Sequence, residues 1–177
     1  MSHVAVGTNI VVTVLLAPGI AAHEFAHELA CRLLGVPVHG SAYLNPLASD
    51  AYVDHEPIES FYADAIVALA PLVVNTTFAL AAFVGAVALA GTPVWPLLVW
   101  VGGTLALTAF PSHSDTASMV ATARALPTVA RPFGLLVAVP VRLATAIPGV
   151  SGFYGFFYAV WLYAVVAGPG GWMNSVM

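Results

Sequence analysis

Lysine is absent from the 177-residue sequence, whose cations are four arginines against eight acidic side chains, for a net charge of −4. So few cations cannot neutralise a run of phosphates, and nucleic-acid binding is excluded as a function class. Cysteine is almost missing as well, since Cys31 stands alone. That removes any intrachain disulfide and any cysteine-type zinc cluster, and a lone cysteine reads as a small buried hydrophobe. Charge of either sign is scarce, at 7% of residues where an ordinary globular domain carries about 25%.

Apolar residues fill the space instead: 60% of the chain is hydrophobic and the mean hydropathy is +0.95. A water-soluble fold needs polar surface to cover its core, and this composition does not supply it. The sequence predicts one membrane-embedded domain over residues 1–177, an all-α polytopic bundle of about four to five transmembrane helices. Its core is residues 4–126, with C-terminal helices in 127–177. The first apolar stretch, residues 4–22, lacks a basic start and runs straight into charged residues, which argues for a retained helix over a cleaved signal peptide. The alanine- and valine-rich, lysine-free composition fits the cell membrane of a high-GC prokaryote.

Punctuation divides the chain further. Segment one, residues 4–34, is bent at Pro18-Gly19 and stopped by Gly35 and Pro37. Residues 36–57 form the main polar insertion, where strand-like stretches around Asn45-Pro46 and Ser49-Asp50 predict a short hairpin. Segments two (60–90) and three (94–110) follow, then a non-helical interruption at 111–115 and a short helix at 116–126 capped by Ser114. Residues 133–147, broken by Pro140, are either a span or an interfacial hairpin. The last span, 152–167, ends at Gly168-Pro-Gly-Gly171. Placing Arg32, Arg124 and Arg131 together on the inner side sets the orientation, with the charged end of segment one towards the cytoplasm.

The informative string is Ala22-His23-Glu24-Phe25-Ala26-His27. Histidines four apart share one helix face, so their imidazoles can converge on one ion. Glu24 beside the first ligand can take a proton from a metal-bound water, the arrangement of zinc hydrolases. Zinc suits the task because it lowers the bound water's pKa to about 7. Ionisable groups at membrane depth cost about 2.5–3.5 kcal/mol each and mark function; the bland alternative is an interfacial polar turn satisfied by water and headgroups.

Catalytic zinc takes three protein ligands, so a third must come from elsewhere. Asp115 is the leading candidate, with Asp64 and His113 as competitors. Counting helical rise from the outer surface puts Asp115 at roughly 31 Å and His23 at roughly 28 Å, similar depths. Asp115 can equally complement the dipole of the helix it opens. Asn75 on segment two either binds a carbonyl oxygen as charge develops or glues helices together. His39 and His55 read as solvated loop residues, Arg142 as a side chain reaching for the interface, and Glu28 as a partner of the site or a helix-end charge.

A His-Glu-x-x-His in an early membrane helix (His23, Glu24, His27), a Pro-x-x-x-Asn helix (Pro71, Asn75) and an aspartate after a third helix (Asp115) resemble the site-2 protease family of intramembrane zinc metalloproteases. The setting of Asp115, Ser112-His-Ser-Asp-Thr116, departs from the Asn-Pro-Asp-Gly or Leu-Asp-Gly type of that family. The resemblance implies Zn2+ held by His23, His27 and Asp115, with Glu24 as general base. It also implies that the strand-rich stretch at 36–53 pairs with an unwound substrate helix. The expected activity is endopeptidase cleavage of a membrane-embedded protein or peptide within the lipid bilayer. Two other classes stand beside it: a non-catalytic metal-binding scaffold, against which a retained general base speaks, and a metal or proton transporter, which would spread polar groups over several depths.

Overall fold

The computed structural model describes residues 10–45, 51–145 and 150–168. The chain is mostly helical with one small two-stranded sheet. Residues 10–15 are helical, the chain turns at Leu16, and α1 (Ala17–Leu33) begins there with Pro18 in its first turn. A proline is at home in that turn because first-turn N–H groups have no intrahelical acceptor. The expected bend therefore falls two residues ahead of Pro18. Gly35, at φ 70°, ends the helix: its N–H reaches Arg32 O at 3.2 Å and the next, Val36 N–H, reaches Cys31 O at 2.8 Å. That pair of bonds satisfies carbonyls that an L-residue in the same conformation would leave strained.

Strands β1 (Val38–Ala42) and β2 (Tyr52–His55) pair antiparallel, with an irregularity between Val38 and Gly40, so the hairpin expected in the polar insertion forms. Pro46 and Ser49-Asp50 of its predicted turn lie outside the described residues, as do the start of segment one (4–9), residues 146–149 and the Pro169-Gly-Gly171 terminator.

Helix α2 (Phe61–Ala88) starts at Ser60, whose hydroxyl caps the Ala63 N–H, and runs through Pro71 without interruption. Among the described residues it is the one helix long and apolar enough to cross a membrane by length and composition. Its 28 residues span about 42 Å against a hydrocarbon core of about 30 Å. Helices α3 (Trp95–Leu107) and α6 (Val150–Ala167) follow the expected segments. Helix α5 (Arg131–Thr145) continues through Pro140, where a break was expected.

Helix α4 (His113–Ala125) starts three residues earlier than expected, and its cap is Ser112, not Ser114. The reason is a capping box: Ser112 Oγ accepts from Asp115 N–H at 3.3 Å while Ser112 N–H donates to Asp115 Oδ2 at 2.7 Å. Asp115 thus sits inside the first helical turn instead of in a loop.

The helices pack as two neighbouring apolar clusters. Ala79, Phe83, Leu105, Ala106, Leu162 and Tyr163 join α2, α3 and α6. Phe61, Ala68, Met119, Ala123 and Ala138 join α2, α4 and α5. Contact is close where glycine permits it: a Cβ on Gly19 would lie 2.2 Å from Thr104 O, and one on Gly155 would lie 2.3 Å from Leu107 O. Many large apolar side chains remain on the outside, among them Val14, Ile66, Val73, Leu97, Leu136 and Trp161.

Candidate metal centre

His23 and His27, one turn apart on α1, turn their rings towards each other with centroids 4.8 Å apart. Each ring is fixed from behind by a backbone carbonyl. His23 Nδ1 donates to Thr108 O at 2.7 Å, at the end of α3, and His27 Nδ1 donates to Val67 O at 2.9 Å, in α2. A carbonyl only accepts, so both Nδ1 atoms carry a proton, and in the neutral imidazoles both Nε2 atoms present lone pairs. Those two atoms stand 3.2 Å apart. Asp115 Oδ2 completes the group at 3.4 Å from His27 Nε2 and 3.8 Å from His23 Nε2.

With neutral imidazoles, two lone pairs and an anionic oxygen converge, an arrangement that a metal ion or a proton at its centre relieves. His23, His27 and Asp115 therefore form a triad able to hold a metal ion, with ligand atoms within 4.8 Å of one another. Anchoring the second ring nitrogen to a carbonyl is how metal-binding histidines have their tautomer and ring orientation set.

A cavity of about 330 Å³ opens on the triad. Glu24 lines it beside the two histidines, and Ser112, Ser114 and Ser118 add hydroxyls from α4 and its cap. Tyr52, Val53 and His55 of β2 form another wall. His55 was expected among solvated loop residues but borders the cavity; His39 is exposed as expected, 3.9 Å from Glu56.

The competitors of Asp115 are occupied. Asp64 borders the cavity but accepts from Ser118 Oγ at 2.9 Å and Thr122 Oγ1 at 2.7 Å, tying α2 to α4. His113 points to α5, where its Nε2 lies 2.6 Å from Arg142 Nη2 and its carbonyl accepts from Arg142 Nη1 at 2.5 Å.

Asn75 is fully buried and absent from the cavity lining. Its amide nitrogen donates to Gly19 O at 3.2 Å and Thr108 Oγ1 at 3.1 Å, joining α1, α2 and α3 behind the site. Of its two expected roles, the geometry displays the gluing one. Glu28 faces away from the triad: its carboxylate pairs with Arg32 at 2.6 Å and accepts from Tyr43 Oη at 2.6 Å, holding the hairpin to α1. That anionic acceptor pushes the Tyr43 phenol above its ordinary pKa. Val67, Thr108 and Ser112 were not anticipated as parts of the site; the first two act through backbone carbonyls, which no side-chain motif marks.

Protein-family models, curated proteins and solved structures were compared with the chain, and none of the three comparisons returns a match.

Proposed function

We propose that the protein is an intramembrane zinc endopeptidase, similar in its site to the site-2 protease family. The observation that carries this reading is the convergence of His23 Nε2, His27 Nε2 and Asp115 Oδ2 in a cavity that Glu24 also borders. A four-coordinate zinc would hold its ligands about 3.3–3.4 Å apart; two of the observed separations, 3.2 and 3.4 Å, match this, and the third, 3.8 Å, is longer. When bound, zinc supplies Lewis-acid polarisation of a carbonyl and brings the pKa of water to about 7.

The remaining steps belong to side chains of the chain itself. Glu24 takes a proton from water in the cavity and later delivers it to the departing amine. Thr108 O and Val67 O hold the imidazoles in the tautomer that leaves Nε2 free. Asn75 holds Thr108 in turn, so its contribution is to position His23. Strand β2, with one side against β1 and residues on the cavity wall, offers an edge to an extended substrate segment. Pairing there would hold a carbonyl in reach after the substrate helix unwinds.

Placement in a bilayer is supported by the outer surface. Large side chains such as Val14 before α1, Val73 and Val84 on α2, Leu97 on α3 and Phe156 and Trp161 on α6 are exposed, far more apolar surface than a soluble monomer tolerates. In this reading the bundle spans the membrane several times, and Arg32, Arg124 and Arg131 place the cavity towards the cytoplasmic side.

Metal analysis of purified protein, paired with cleavage of a membrane-helix substrate, tests the proposal. Glu24→Gln should retain zinc and lose about 10²–10⁴ in rate, while His23→Ala and His27→Ala should lose the metal. Undiminished cleavage by Glu24→Gln would remove the peptidase reading. Zinc flux through proteoliposomes without cleavage would replace it with transport.

A further inference from the structure

A histidine Nδ1–H seeking a carbonyl inside an α-helix ordinarily has to share it, because each such carbonyl already accepts the N–H four residues ahead, as Thr104 O accepts both the N–H and the hydroxyl of Thr108. Two ways exist to free one: end the helix, or place a residue without an N–H four positions on. The two metal-site histidines use one each. Thr108 is the C-terminal cap residue of α3, Pro111 beyond it has no N–H, and the Ser112 N–H is taken by Asp115 Oδ2. The Thr108 carbonyl is thereby free of a helical donor and accepts from His23 at 2.7 Å and, more weakly, from the Asn75 amide at 3.4 Å. Val67, by contrast, lies in the first half of an unbroken 28-residue helix, and the residue four positions on is Pro71.

We propose that Pro71 is a positioning residue of the metal centre: lacking an N–H, it releases the Val67 carbonyl to accept the Nδ1–H of His27. This rests on the metal-site reading and adds to it a role for a residue that touches neither metal nor substrate. Proline inside a helix costs about 3 kcal/mol through the missing bond and the clash of its ring with the preceding turn. Here the freed acceptor is the one that His27 occupies at 2.9 Å, and Pro71 itself is fully buried. The same turn of α2 then carries Asn75 to the Thr108 hydroxyl. Residues four apart on one helix face thus serve both imidazoles, one through a bond it cannot make and the other through bonds it does make.

Pro71→Ala and Pro71→Leu each introduce an amide that competes for Val67 O. Zinc affinity, measured by chelator competition on the full-length protein in detergent, should fall by about 10–100-fold in both variants. Thermal stability of the metal-free protein should hold or rise, because α2 gains a bond. Side-chain ¹⁵N NMR of the metal-free protein should show His27 passing from the Nδ1–H tautomer to a mixture. Wild-type affinity together with an unchanged His27 signal would overturn the assignment, as would equal losses of affinity and stability in both variants, which would make Pro71 a residue of the fold alone. If the wild-type chain binds no zinc, the metal reading fails; the tautomer shift still decides the proline's role.

Discussion

The two halves of α2 are built on different rules. Towards its start, Asp64, the Val67 carbonyl and Asn75 are buried polar groups, each engaged by a named donor or acceptor on α1, α3 or α4. Towards its end, Ala79, Phe83 and Ala86 are buried, and Ala79 and Phe83 belong to an apolar cluster in which the Tyr163 ring lies 5.3 Å from Phe83. In the proposed bilayer setting the second kind of contact would gain little from leaving the solvent, so it would depend on shape, and small residues supply it. Gly102 is the example: a Cβ there would sit 2.6 Å from the Phe83 ring. The first kind depends on direction, since a bond to a carbonyl is lost within a fraction of an ångström of misalignment. The comparison teaches that one helix can carry rigidity by packing and precision by hydrogen bonding in separate places, so that the two are separable by mutation.

The strongest way to break that separation is Gly19→Ala. Its Cβ would meet Thr104 O at 2.2 Å and Thr108 Oγ1 at 2.5 Å, so α1 and α3 must part. His23 then loses its 2.7 Å bond to Thr108 O, and Asn75 loses its place between them. Zinc affinity should fall by about 10-fold or more and stability by about 1–3 kcal/mol, read by chelator competition and thermal unfolding. Loss of stability with full affinity would show that the backbone approach does not position His23.

Phe83→Ala should affect only one side of the comparison. It empties the packed half and should cost about 3 kcal/mol, the low end for such a truncation if the bundle lies in lipid as proposed. Zinc affinity should equal wild type, since no ligand or carbonyl of the triad belongs to that cluster. A parallel fall in affinity would show that packing and metal positioning are coupled along α2.

The legibility of the sequence follows the same division. Bounds of α2 and the start of α3 were readable because Ser60, Gly91 and Pro93 punctuate an apolar run, while α3 ends at Leu107, three residues short of the expected 110; the hairpin was readable because β-formers flank turn residues. His23 and His27 were readable from one helical turn of spacing, and Asp115 from matching depth. The start of α4 was misplaced because Pro111 to Asp115 looks like an interruption, whereas Ser112 and Asp115 are the reciprocal halves of a cap. A break at Pro140 was expected, yet α5 passes through it. Carbonyl anchors leave no residue signature of their own. Glu28 was ambiguous because its partner, Tyr43, stands fifteen residues away in a strand-like segment whose pairing only the fold reveals.

The smallest expected effect lies at the hairpin. Tyr43→Phe removes the 2.6 Å bond to Glu28 while leaving Arg32 on the same carboxylate at 2.6 Å. A partly exposed hydrogen bond to a still-paired anion contributes about 0.5–1 kcal/mol. Faster hydrogen exchange in β1 and β2 at unchanged zinc affinity is the expected result. The pH dependence has a defined sign: the phenol's pKa is raised in the fold, chiefly by that bond to the carboxylate. Its stabilisation is therefore complete below the unfolded value of about 10 and is lost as pH climbs through the higher folded value. Wild-type exchange should accelerate only at strongly alkaline pH, and the Tyr43→Phe protein should lack that step. If Tyr43→Phe lowered zinc affinity as Gly19→Ala is expected to, the hairpin would count as part of the directional half of the molecule, and the boundary drawn through α2 would have to move outward to β1.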